Sequence, residues 1–215
     1  LASPLGPFVL HPRAFLVAWS GVLALAYDGW PAEVETFKRG LNDALPLKPE
    51  SPGSVWPKTS LAALRGDKRL TPEQLVKLRE ICASATEALG QTAWALDVKE
   101  LHSTTYLCRN HERLLCAATL PLQGVAAGPA SAASRQYTDS VLVEYESEAY
   151  WLHASRDGSR EGHYRDAVLG SSLVAFLREE PPGLAFLRQE IDAALPGYYA
   201  WFAAESLHCT VRALS

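Results

Sequence analysis

The sequence predicts an α+β fold, and three observations predict it. Strand-like and helix-like stretches interleave along the whole length. The connections between them are short, which favours an α+β sandwich over a doubly wound parallel sheet. Finally, 48% of the 215 residues are hydrophobic, enough for one domain with a large core or for two compact lobes sharing one. The expectation is a single domain over residues 1–215.

The elements follow in order. Residues 14–27 form an apolar run between Arg13 and Asp28. It is too short to cross a bilayer, which takes about 20 apolar residues, and Ser20-Gly21 interrupts it, so it reads as buried strands, the last over 21–27. Pro31 sits where a first helical turn tolerates proline, and Val34, Phe37, Leu41 and Leu45 follow at helical spacing. Residues 46–57 are a proline-rich loop and 58–64 the next strand, closing a β-α-β unit.

Thr71-Pro72-Glu73-Gln74 starts a helix with a cap, a proline at its first position and an acidic first turn. Leu75, Leu78, Ile81 and Cys82 continue its apolar face, and Gly90 ends it. Residues 93–107 are extended, with 113–120 as their neighbour. The Ala/Gly/Ser/Pro-rich stretch 124–134 reads as a surface loop or a connection between lobes. Residues 141–145 and 150–153 read as a hairpin, 166–178 and 183–195 as helices, and 206–214 as the last strand.

A formal charge of −4 argues against a broad basic surface, and so against duplex DNA, whose affinity comes from many Lys and Arg contacts to phosphate. Cys82, Cys108, Cys116 and Cys209 form no Cys-x-x-Cys pair and no regular framework, which points to a reducing intracellular compartment and away from metal ribbons and disulfide scaffolds. The sequence contains no methionine, position 1 included, and reads as a processed chain or an excised piece.

A His-x-Thr tripeptide occurs twice, as His102-Ser103-Thr104 and His208-Cys209-Thr210, each after a leucine and within a strand-like run. Strand side chains alternate faces, so each histidine points the same way as the threonine two residues on. Two imidazoles can serve as one neutral base and one protonated acid, while the hydroxyls donate to an oxyanion. Such a set suits transfer at phosphorus. The same alternation places Tyr106 beside His102 and Thr104 as a surface for stacking a base, and Arg212 beside His208 and Thr210 as a phosphate ligand.

On these residues the sequence resembles the two-histidine (2H) phosphoesterases, whose members carry two His-x-Thr/Ser motifs, each followed by an apolar residue. Val211 follows the second motif here and Thr105 the first. The resemblance implies a two-lobed sandwich with a central cleft between antiparallel sheets. It also implies metal-independent phosphodiesterase chemistry with no cofactor, on a cyclic phosphate or a 2′-linked or 3′-end phosphodiester of RNA or a nucleotide. His102, Thr104, His208 and Thr210 would be catalytic, and the protein a monomer taking a nucleotide or short RNA end, with no membrane partner. A catalytically diverged nucleotide- or RNA-end-binding module is the alternative.

Other candidates read more plainly. Lys58-Thr59 lies on a possible inner strand and could add positive charge to the cleft, but Lys58 reads first as an exposed strand-end lysine. His111 and His153 could join the site or, with His102 and Cys108, supply metal ligands, but His-x₈-His with an intervening cysteine matches no standard zinc spacing, so no metal site is expected. Gly170-Ser171-Ser172 lacks the Gly-x-Ser-x-Gly turn of a serine nucleophile, and no phosphate-binding or dinucleotide-binding glycine loop is present. Apart from the two motifs, no internal repeat is visible.

Overall fold

The computed structural model describes residues 5–51, 55–155 and 160–215. Its strands are β1 (Phe8–Leu10), β2 (Pro12–Val17), β3 (Leu23–Tyr27), β4 (Lys58–Leu64), β5 (Leu96–Val98), β6 (Glu100–Tyr106), β7 (Leu114–Pro121), β8 (Gly170–Phe176), β9 (Tyr199–Trp201) and β10 (His208–Ala213). Its helices are α1 (Ala32–Ala44), α2 (Pro72–Gly90), α3 (Ala132–Glu146), α4 (Tyr150–Ser155), α5 (Glu161–Arg165) and α6 (Leu184–Ala194).

β1 and β5 pair as a small ribbon. The other strands build one antiparallel sheet in the order β2-β3-β4-β10-β8-β6-β7, with β9 added beside β4. This is an α+β fold with a large antiparallel sheet. Both His-x-Thr strands belong to that one sheet, with only β8 between them.

The middle of the sheet is covered on both faces, which explains the apolar run of β3, every residue of which is buried. α2 starts as its sequence dictates: Thr71 Oγ1 accepts from the Gln74 N–H, and Gln74 Oε1 accepts from the Thr71 N–H. It runs along β2, where Thr86 Oγ1 accepts from the Phe15 N–H. Among the described residues, no helix is long and apolar enough to cross a membrane.

Three expectations need correction. β3 and β4 flank α1 but are antiparallel neighbours, so they form no parallel β-α-β unit. The stretch read as a hairpin over 141–153 is helical, α3 followed by α4. Ser131 caps α3 by accepting from the Ser134 N–H, and Ser134, Thr138, Val141 and Tyr145 form its buried stripe. The segment 166–178 carries β8 instead of a helix. β8 lies between β6 and β10 with both faces covered, so its apolar residues do not alternate, and periodicity alone cannot separate such a strand from a buried helix.

The registers on either side of the β4–β10 seam repeat each other. On one side Ala26 pairs with Lys58, Leu25 with Thr59 and Ala24 with Ser60; on the other Phe176 pairs with His208, Ala175 with Cys209 and Val174 with Thr210. Each residue of the second set stands 150 positions after its counterpart in the first. The irregularity is repeated as well: the register slips between Leu23 and Ala24, where Leu23 pairs with Ala62, and again where Leu173 pairs with Arg212. At the seam itself Cys209 pairs with Thr59.

The bulge in β10 overturns the expected placement of Arg212. One extra residue reverses the side-chain alternation, so Arg212 goes with Leu173 to the face opposite Thr210. There it is 2% exposed, its Nε donating to Asn42 Oδ1 (3.0 Å) and its Nη2 to the Lys48 carbonyl (2.6 Å). It ties down α1 and the following loop and is no phosphate ligand.

Candidate functional site

A cavity of about 470 Å³ opens over the sheet face that carries Lys58 and Ser60 of β4, His208 and Thr210 of β10, Ser172 of β8 and Tyr106 of β6. Strand alternation brings these six to one face. Trp19, Trp56, Val141 of α3 and Tyr164 of α5 add apolar wall, and Arg109, Asn110 and His111 reach in from the turn between β6 and β7. No aspartate or glutamate lines it among the described residues, whereas Lys58 and Arg109 do. The site therefore favours an anion over a cation.

His208 is oriented by its own strand end. Its Nδ1 donates to the Ser206 carbonyl at 2.7 Å, which leaves the lone pair on Nε2. Burial holds its pKa down to about 4, opposed by that hydrogen bond. At neutral pH it is an uncharged imidazole with a fixed tautomer, the form a general base requires.

His111 stacks on it, with ring centroids 3.9 Å apart and planes at 18°. This residue is 4% exposed and has φ of 61°, a left-handed conformation costly for a side chain of this size. The surrounding turn enforces it. Glu112 receives Nε and Nη2 of Arg165 at 2.9 Å each and also the Ala203 N–H, while the Asn110 N–H donates to the Tyr164 carbonyl.

A chain of hydroxyls then fixes the His111 tautomer. Thr104 Oγ1 donates to the Ser172 carbonyl (3.1 Å), so at 3.2 Å it accepts from Ser172 Oγ, which in turn accepts from His111 Nε2 at 3.2 Å. The His111 lone pair is thereby on Nδ1, a buried atom with no hydrogen-bond partner. Burial, and the neighbouring His208, hold the His111 pKa down to about 3. Tyr106 packs against His111 at 4.6 Å, over Gly170, where an added Cβ would lie 2.6 Å from two Tyr106 ring carbons and from its hydroxyl oxygen.

Lys58 is half-buried on the cavity floor with its ammonium 5.1 Å from the centre of the Trp56 ring, and burial pulls its pKa down to about 8. Its place there differs from the exposed strand end that the sequence suggests.

Of the residues the motifs single out, His208, Thr210 and Tyr106 line the cavity. His102, Thr104 and Arg212 do not. Thr104 lies 1% exposed beneath Ser172 and reaches the site only through the hydroxyl chain to His111. His102 points elsewhere: its Nε2 is 3.4 Å from Glu100 Oε1 and its Nδ1 3.4 Å from Thr119 Oγ1, in a separate recess of about 180 Å³. The Phe176 ring stands between the two motif histidines, at 5.2 Å from His102 and 6.0 Å from His208. His102 is level with Val174 and His208 with Phe176, so two strand spacings and a two-residue step separate their Cα atoms, about 12 Å.

His111 and Lys58 are the two site residues that motif reading undervalues. His111 lies on a hairpin turn that folds back over its own sheet, and no spacing rule signals that. Compared with known proteins, the sequence matches no family model, no curated protein and no solved structure.

Proposed function

We propose that the cavity over β4, β10 and β8 binds a phosphate ester and that His208 acts on it as general base. On this reading the protein is a metal-independent phosphodiesterase of the 2H type, acting on a cyclic phosphate or a 2′-linked or 3′-end phosphodiester of a nucleotide or short RNA. One observation carries it: a neutral imidazole with its tautomer fixed by the Ser206 carbonyl, in a cavity lined by Lys58 and Arg109 and by no carboxylate side chain among the described residues. Thr210, Ser60 and Ser172 offer hydroxyls for non-bridging oxygens, and Tyr106, Trp19 and Trp56 offer faces for a base. The volume lies within the range usual for small-molecule sites. His102 is not the acid of this reaction.

The test is titration and turnover of a nucleoside 2′,3′-cyclic phosphate by the whole chain and by His208→Ala. General bases contribute about 10² to 10⁴-fold, so His208→Ala should lower kcat by at least 100-fold, and a chelator should leave the wild type unchanged. Absence of binding by the wild type, or a loss below tenfold in the variant, overturns the reading. The exclusion of His102 from the cavity favours a second reading, a nucleotide- or RNA-end-binding module; binding without turnover in the wild type would select it.

A further inference from the structure

The cavity has a second half that carries no His-x-Thr. β4 and β10 are antiparallel, and Cys209 faces Thr59 across the seam. An antiparallel pair has a local two-fold axis through each such residue pair, and this one exchanges His208 with Lys58, Thr210 with Ser60 and Val211 with Leu61. The motif His-Cys-Thr-Val thus meets its rotated counterpart, Lys-Thr-Ser-Leu, and Ala-Leu closes both runs at 63–64 and 213–214. The relation extends beyond the seam. β3 lies beside β4 as β8 lies beside β10, with the same pairing and the same bulge; a helix follows the first strand of each pair, α1 after β3 and α6 after β8, and the second connection also contains β9. Continuing outward, Ala24 pairs with Leu16 and Val174 with His102, so the counterpart of His102 is a leucine.

We propose that Lys58-Thr59-Ser60-Leu61 is the other half of the active site and that Lys58 is the general acid opposite His208, acting on a phosphodiester. The proposal rests on the phosphoesterase reading above and names its missing partner. Both side chains stand on the cavity floor on adjacent strands, one on each side of the axis, so a phosphate on that axis meets both. His208 Nε2 takes a proton from water, or from a ribose hydroxyl in transesterification. The oxygen so activated forms a bond to phosphorus, and the bond from phosphorus to the leaving ribose oxygen breaks. The Lys58 ammonium gives its proton to that oxygen, and solvent returns the proton held by His208 to Lys58. Ser60 and Thr210, themselves related by the axis, donate to the two non-bridging oxygens.

The groups around Lys58 leave it a distinctive signature. On β10 the Cys209 thiol is pushed up to about 12 and His208 is held down to about 4; across the cavity lie Arg109, Tyr106, Tyr164 and His111, with His163 lowered from its usual value by burial. Ala26, opposite on β3, brings no charge, and the Tyr27 hydroxyl behind it is raised far above neutrality by burial. An alkaline limb near pH 8 therefore belongs to Lys58, whose own value is about 8.

The experiment follows hydrolysis of a nucleoside 2′,3′-cyclic phosphate against pH for wild type, Lys58→Met, Lys58→His and His102→Ala, each checked for folding by urea unfolding. Lys58→Met should lose about 10² to 10⁴-fold in kcat. Lys58→His should recover at least tenfold of that, with its alkaline limb moved below that of the wild type. His102→Ala should stay within threefold of wild type. A Lys58→Met loss below tenfold, or an alkaline limb unmoved in Lys58→His, overturns the proposal while a dead His208→Ala leaves the phosphoesterase reading standing. A wild type that turns over no phosphodiester overturns both.

Discussion

The stacked histidines should make this protein sensitive to mild acid, and His111→Asn isolates the effect. Asparagine accepts the left-handed backbone at position 111 better than any uncharged replacement but glycine, and it does not titrate; its amide reaches only as far as the imidazole Nδ1, so the bond to Ser172 Oγ is lost at both pH values alike and cancels in the comparison. In the native state burial and the adjacent ring hold His111 at about 3, against about 6.5 in the unfolded chain. The unfolded state therefore binds the extra proton between these values. Stability is complete above pH 6.5 and falls as pH drops towards 3. At pH 5 the unfolded-state value lies about 1.5 units higher, and one unit corresponds to about 1.36 kcal/mol, so the penalty from His111 alone is about 2 kcal/mol. Against a total stability of about 5 to 15 kcal/mol this is easily measured. Urea unfolding at pH 7 and pH 5 should show the wild type losing about 2 kcal/mol more than His111→Asn across that interval. Equal losses in the two proteins, or an imidazole signal of His111 that titrates near 6.5 in NMR, would refute the burial argument.

Further outcomes concern the scaffold around the site. Arg212→Met removes the hydrogen bonds from the buried guanidinium to Asn42 Oδ1 and the Lys48 carbonyl, at a cost of about 1 to 3 kcal/mol in urea unfolding, while cyclic nucleotide binding stays unchanged because Arg212 lies on the far face of the sheet. Gly170→Ala drives a Cβ into the Tyr106 ring, and the displaced ring disturbs His111; nucleotide affinity measured by calorimetry should fall several-fold. Thr71→Ala removes the reciprocal cap of α2 and should lower the urea-derived stability by about 1 kcal/mol without affecting the cavity.

Much of this architecture can be read where local chemistry decides it. The cap of α2 is written in Thr71 and Gln74, and β4 begins and ends where its run of strand-forming residues does. β8 is illegible for a physical reason: a strand covered on both faces has no period to display. The stripe of α3 begins with Ser134 and Thr138, small hydroxyls that hydrophobicity patterns pass over, which left its apolar end looking like a strand. Strand parity served well for His208 and Thr210 but failed at Arg212, because a bulge two residues on is invisible in the sequence. The first His-x-Thr misleads for another reason. His102 and Thr104 do share a face with His208, as parity requires, but they sit two strands away behind Phe176 and face Glu100 and Thr119.

The exchange of histidine for lysine across the seam bears on how such a site assigns its roles. Two identical imidazoles related by a two-fold axis would share one environment and one pKa, and only the bound substrate could decide which is base and which acid. Here the halves differ before anything binds: burial places His208 at about 4 and Lys58 at about 8. Pairs of titratable groups driven apart in this way are how acid and base functions are separated at neutral pH. On the Lys58 proposal the direction of proton flow is therefore built into the protein, from water to β10 and from β4 to the leaving oxygen. Exchanging the two side chains, Lys58→His with His208→Lys, should then invert the preference between the two ester bonds of a 2′,3′-cyclic phosphate, because the axis carries each group to the position of the other. An unchanged product ratio in an active double variant would mean that the surrounding walls orient the substrate, with Tyr106 and His111 present on one side of the axis only.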